Sequence, residues 1–130
     1  MTFVRRHAAE VYAMMRIVTG FLFFCHGATK ILGWPGVPHE GTPELIRWVA
    51  GGVELVGGAL VMIGLATRLA AFVSSGLMAV AYWIGHGTQA LFPINNQGEL
   101  AALYCFVFLY ICAHGAGVWS IDGPSDSDSA

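Results

Sequence analysis

Charge is what this sequence has least of. Only 11% of its 130 residues are Asp, Glu, Lys or Arg, against about 25% in an ordinary soluble domain, so the bulk of the chain does not face water. The net charge is −2 and no Lys/Arg run or basic patch is present, which argues against nucleic acid as a partner. Cysteine is scarce as well: Cys25, Cys105 and Cys112 make an odd number, so internal disulfides cannot close over all of them. There is neither a CxxC nor a CxxCH, which removes a thioredoxin-type dithiol and covalently attached c-type haem, and no metal site is expected. A cleavable leader is not expected either. Arg5 and Arg6 precede an apolar stretch, but Arg16 interrupts it and no A-x-A-like site follows, so a retained first helix is expected.

What is there is apolar. Hydrophobic residues make up 56% of the chain, and a spanning helix needs about 20 of them in succession. Four stretches qualify, at about residues 11–32, 45–66, 69–88 and 99–118. The expected fold class is therefore all-α, an integral membrane up-and-down bundle of four transmembrane helices over residues 1–122. Residues 123–130 form a Ser- and Asp-rich tail that is expected to be disordered.

The punctuation supports these limits. Gly33, Pro35, Gly36 and Pro38 end the first span, and Thr42-Pro43-Glu44 reads as an N-cap with proline at the first helical position. Gly64 and Thr67-Arg68 make a tight turn into the third span. Pro93, then Asn96 with Glu99 three residues on, resembles a capping box opening the fourth. Four crossings put both termini on one side. Arg5, Arg6 and Arg68 share that side against Lys30 and Arg47 on the other, which favours cytoplasmic termini. Trp34, Trp48 and Trp83 at one surface and Trp119 at the other suit interfacial aromatic belts.

The few polar residues inside the spans then carry the information. In GGVELVGG, Gly51, Glu54 and Gly58 stand at i, i+3 and i+7, one helical stripe that a neighbouring helix approaches. Glu54 lies near mid-membrane, where an ionised side chain costs about 2.5–3.5 kcal/mol unless paired, protonated or wetted. Helix one carries Arg16, Gly20, Phe23, Gly27 and Lys30 on one face, and an Arg16–Glu54 pair is expected. Arg68, Ser75, Tyr82 and His86 form a stripe on helix three, as do Glu99, Phe106, Tyr110 and Gly117 on helix four. The expected sites are an intramembrane charge network of Arg16, Glu54 and Arg68, and a non-cytoplasmic pocket drawing on His26, Lys30, Tyr82, His86, Asn96 and Glu99. Acid, base and hydrogen-bond donors in one region suit a small-molecule or quinone head-group pocket. Bland readings stand beside this one: Glu99 as a cap, Lys30 and His114 answering helix dipoles, and the cysteines as small buried fillers, although Cys25 and Cys105 share a depth that would let them meet as a reversible disulfide.

Together the segments FLFFCHGATKILGW, GGVELVGGALVMIGLATRLAA, MAVAYWIGHG, PINNQGELAALYCFVFLY and GAGVWSID, covering about residues 14–122, resemble the DoxX family of small bacterial four-helix membrane proteins. By that resemblance Arg16, His26, Lys30, Glu54, Arg68, Asn96 and Glu99 match family-pattern positions, whereas the three cysteines lie outside it. The resemblance implies a bacterial inner-membrane location and a link to thiosulfate–quinone oxidoreductase or terminal oxidase complexes. The expected function is a redox-associated subunit that binds a quinone or similar small molecule within the bundle, as a homo-oligomer or in a larger membrane complex. The alternatives are a non-catalytic assembly or scaffold subunit and a small-solute transporter.

Overall fold

A computed structural model describes residues 1–38 and 40–124 of the chain. The described residues are helical, without strands: α1 (Thr2–Arg6), α2 (Ala8–Leu32), α3 (Glu44–Ile63), α4 (Thr67–Tyr82), α5 (Pro93–Asn96) and α6 (Glu99–His114), with a π-helical turn, Trp83–Gly87, continuing α4. Three of these, Ala8–Leu32, Glu44–Ile63 and Thr67–Gly87, are long and apolar enough to cross a membrane. The fourth apolar helix, α6, has 16 residues, about 24 Å at 1.5 Å per residue, short of a hydrocarbon core of about 30 Å. Length thus separates α6 from the other three. The expected disordered tail lies, from residue 125 on, outside the described residues.

Glycine decides how the first two long helices meet. A Cβ on Gly20 would lie 2.5 Å from the Met62 amide nitrogen, one on Gly27 would run into the Leu55 backbone, and one on Gly58 into that of Phe24. α2 and α3 therefore touch backbone to backbone, which lets dispersion act between helices that gain nothing from expelling lipid. On the other side of α3, Gly57 leaves room for Ser74 of α4, whose Oγ would be 2.7 Å from an added Cβ. α4 packs on α6, and Ser75 Oγ donates to the Cys105 carbonyl at 2.8 Å. The ring closes between α2 and α6 through aromatic side chains: Phe23 meets Phe108 and Tyr104, and Tyr12 stacks on His114.

The polarity of this bundle is inverted. Arg16, Glu54, Ser74 and Ser75 are buried, while Phe21, Leu22, Val56, Leu69, Phe72, Leu103 and Phe106 are exposed. Such an arrangement suits a solvent of acyl chains, in which polar groups must find partners inside the protein. The stripes expected on α2 and α3 do turn inward: Arg16, Gly20, Phe23 and Gly27 are buried, and so are Gly51, Glu54 and Gly58. The stripe expected on α6 does not. Phe106 and Tyr110 are exposed, and Tyr104, Phe108 and Ile111 are buried instead. α6 is apolar all round, so the sequence gives its inner face no mark.

The turns differ from expectation by small shifts. Pro43, not Thr42, is the N-cap of α3. The expected Asn96–Glu99 capping box is absent: Gly98 is the N-cap of α6, Glu99 is its exposed first residue, and Asn96 Oδ1 accepts from the Gly98 amide at 2.8 Å.

Candidate ligand site

The two ends of the bundle use their charged side chains in opposite ways. At the end holding the α3–α4 turn, Arg16 is fully buried (0% exposed). Its Nη1 donates to the carbonyls of Val61 and Met62 at 2.7 and 2.8 Å, and its Nη2 to those of Val118 and Trp119 at 3.2 and 2.8 Å. A planar guanidinium presents donors in a fixed fork, and here the fork ties the open C-terminus of α3 to the chain that follows α6. The expected Arg16–Glu54 pair is thereby corrected. Arg68, expected in the same network, donates instead to the Cys112, Ala113 and His114 carbonyls that end α6. Cations there satisfy the negative pole of a helix.

The segment after α6 completes this end. Ile121 and Asp122 donate their amides to the carbonyls of Ile63 and Gly64. Asp122 accepts from the amides of Ala66 and Thr67 and from the Thr67 hydroxyl at 2.9–3.0 Å. The Thr67 amide above all, with the Ala66 amide, the Thr67 hydroxyl and the Arg16 charge, holds the Asp122 carboxyl below the usual carboxylate range against the opposing effect of desolvation. Gly64 makes this possible: it adopts φ 71°, and a Cβ there would collide with Ser120.

Glu54 finds its partner at the other end. Only 2% exposed, it pairs with Lys30 at 2.5 Å, and its Oε2 is buried without a hydrogen-bond partner. Register explains the choice. Gly20 seated between Gly58 and Met62, and Gly27 between Gly51 and Leu55, fix an antiparallel alignment in which Glu54 lies opposite residue 26. Lys30 is then one turn away and Arg16 ten residues away, about 15 Å along the axis.

Beside this pair a groove of about 570 Å³ opens between the start of α3 and the end of α4. Its walls are apolar, with Leu45, Ile46, Val49, Leu77, Val80 and Ile84 among them, and Lys30, Arg47 and His86 supply the charged or titratable groups. That volume falls within the usual range for small-molecule sites, about 300–1,000 Å³, and so does the ratio of many apolar to few polar groups. The π-helical turn Trp83–Gly87 carries His86, and π-turns recur at functional sites. His86 Nδ1 hydrogen-bonds the Asn96 main-chain carbonyl at 2.9 Å. Asn96, 2% exposed, is itself held by bonds from its Nδ2 to the Ala90 carbonyl at 3.0 Å and the Tyr82 hydroxyl at 3.3 Å.

Of the six expected pocket residues, Lys30 and His86 therefore meet in the groove, and Asn96 and Tyr82 stand behind His86. His26 is exposed on α2, its ring edge-on to Tyr104 across the α2–α6 contact. Glu99 is exposed at the start of α6. Neither borders the groove. Arg47 does; in the sequence it counts only toward the charge balance of the two sides, and its place one turn into α3, on the same side as the end of α2, was the available signal. Cys25, Cys105 and Cys112 are free thiols.

Long apolar helices around buried polar contacts define a multi-pass helical membrane protein. A family model described as DoxX matches residues 11–87, the stretch that holds Arg16, Lys30, Glu54, Arg68 and His86. The chain is 43% identical over 118 residues to an uncharacterized protein of Haemophilus influenzae, covering 85% of this chain and 87% of that one. The chain belongs to the DoxX family. It is also 40% identical over 60 residues to the "Putative oxidoreductase CatD" of Bacillus subtilis, covering 43% of this chain and 45% of that protein. A second uncharacterized H. influenzae protein is 31% identical over 86 residues, 65% of this chain and 57% of its own length. No solved structure is significantly similar.

Proposed function

We propose that this protein is a redox-associated subunit of a bacterial inner membrane that binds a quinone or similar lipophilic small molecule in the groove between α3 and α4. The groove carries the reading: an apolar slot of about 570 Å³ lined by Lys30, Arg47 and His86, with Lys30 paired to a Glu54 carboxylate whose second oxygen is unpartnered. A lipophilic ring and tail fill the slot, and the polar wall holds the oxygen atoms of the head. Lys30 donates, and Glu54 holds the Lys30 ammonium in place. The similarity to a putative oxidoreductase supports a redox setting. Electron transfer itself belongs to a partner in the membrane. In this reading α6 is the fourth crossing, and both termini lie in the cytoplasm with Arg5, Arg6 and Arg68.

Purification in mild detergent, followed by extraction and mass analysis, tests it. A quinone is expected at near one per chain, and Ala81→Phe, which fills the groove without touching its polar wall, removes it. Recovery of phospholipid alone, equally from both proteins, rejects the reading.

A second reading, an assembly subunit without a ligand, is favoured by the other end, where Arg16 and Arg68 spend their donors on backbone carbonyls. It predicts that filling the groove leaves recovery of partner proteins unchanged, whereas Arg16→Ala abolishes it.

A further inference from the structure

His86 is the groove-lining side chain whose hydrogen-bonding sense the protein fixes. Its Nδ1 faces the Asn96 main-chain carbonyl at 2.9 Å. A carbonyl oxygen only accepts, so Nδ1 carries the hydrogen. A neutral imidazole has one donor and one acceptor nitrogen. Nε2 is therefore the acceptor.

The arrangement has little freedom to reverse. Asn96 Oδ1 accepts from the Gly98 amide at 2.8 Å while Nδ2 donates to the Ala90 carbonyl and the Tyr82 hydroxyl. A Cβ on Gly98 would also run into the Tyr82 ring, so the loop carrying the carbonyl is packed tightly. Elsewhere on the lining Lys30 and Arg47 have only donors to offer. The groove thus presents an acceptor at His86 and donors at Lys30 and Arg47.

We infer that the groove selects its ligand by oxidation state, taking the hydroxyl-bearing hydroquinone or phenol in preference to the dione. This rests on the groove reading above. A dione offers only acceptor oxygens: they suit Lys30 and Arg47, but neither can give His86 Nε2 a hydrogen, so a half-buried acceptor is left unsatisfied. A hydroquinone places a hydroxyl donor on Nε2 and its second oxygen on Lys30, so both walls are met. A tenfold preference for the reduced form corresponds to a rise of about 30 mV in the midpoint potential of the bound two-electron couple.

The test compares a short-tailed benzoquinone with its borohydride-reduced hydroquinone, without oxygen and at about pH 8, where histidine is ordinarily neutral. Affinities for the purified full-length protein in detergent are read by calorimetry, with the thermal midpoint of the unliganded protein as a check on folding. The hydroquinone is expected to bind at least about tenfold more tightly, and His86→Leu to bring the two forms within about twofold. Equal affinities in the unaltered protein, tighter binding of the dione, or a preference that survives in folded His86→Leu overturns the inference and leaves the groove reading standing. Failure of both forms to bind removes the groove reading, and this inference with it.

Discussion

Both ends of the bundle hold a cation on α2 within reach of α3, yet the two cations do different things. Arg16 is sealed in and its terminal nitrogens are spent on four backbone carbonyls. Lys30 keeps 34% of its side chain exposed, pairs with one carboxylate oxygen and borders a groove. The difference teaches how to tell a structural charge from an available one in a membrane bundle. A guanidinium sealed in the bundle with both terminal nitrogens spent on main chain offers a ligand nothing, even though its Nε has no hydrogen-bond partner. At the other end Lys30 and Arg47 line the groove, and Arg47 Nε and the Oε2 of the Glu54 paired with Lys30 lack hydrogen-bond partners, so that end retains accessible capacity.

The contrast is broken most forcefully at Arg16. Arg16→Ala leaves four carbonyls without their donor, and a loss of about 3 kcal/mol or more is expected, visible as a collapse of the thermal midpoint in detergent; Arg16→Lys recovers only part, because an ammonium cannot reproduce the fork. A midpoint within a degree of the parent protein in either variant would show that the closed end is not held as described.

Next in size is the contact that sets the register. Gly27→Leu forces α2 and α3 apart and should cost about 1–3 kcal/mol, with loss of the Lys30–Glu54 pair. Gly76→Ala serves as the control, because an added Cβ there meets nothing within 4 Å, and it should change stability by less than about 0.5 kcal/mol. Equal effects at the two positions would remove the backbone contact from the account.

Glu54→Gln sharpens the comparison from the open end. Breaking a fully buried pair costs about 3–5 kcal/mol, but Lys30 is one-third exposed and can turn to water, so about 1–2 kcal/mol is expected. The same variant should weaken ligand binding, since Lys30 loses the carboxylate that orients it. A stability loss as large as that of Arg16→Ala would mean that the two ends are alike after all.

The smallest effect is at Asp122. Its carboxyl pKa is lowered in the folded protein, chiefly by the Thr67 amide, so the unfolded chain binds the proton more readily. The contribution is therefore fully present above the unfolded pKa of about 3.9 and fades as pH falls through the lower folded value. Asp122 is exposed, so the effect is modest. Thermal midpoints of the parent protein and Asp122→Asn should differ at neutral pH, and the gap should narrow as pH falls below about 3.9. A gap that stays constant as pH falls well below that value would contradict the assignment.

Much of the architecture was legible because glycine and charge are rare enough to mark faces. The stripes through Gly20, Phe23 and Gly27 and through Gly51, Glu54 and Gly58 turn inward as their spacing implies. The partner of Glu54 was not legible, because glycine spacing marks a face but not the register: Gly20 and Gly27 sit between Gly58 and Met62 and between Gly51 and Leu55, about half a turn from a glycine-on-glycine alignment, which by itself leaves Lys30 and Arg16 almost equally far from Glu54. The inner face of α6 was not legible at all, since Tyr104, Phe106, Phe108 and Tyr110 differ too little in polarity to choose between them.

The sequence by itself determined that this chain folds in an apolar solvent, about where its long helices lie, and which faces of α2 and α3 meet, because helix length and glycine spacing are local properties. Only the tertiary structure decided what Arg16 and Arg68 bind and where the groove lies. Their partners are backbone carbonyls, which every residue has and no sequence advertises. The groove in turn exists only where the start of α3 diverges from the π-turn that ends α4. Which cation is spent and which is left for a ligand is thus a matter of register between helices, and register is set by all their contacts at once.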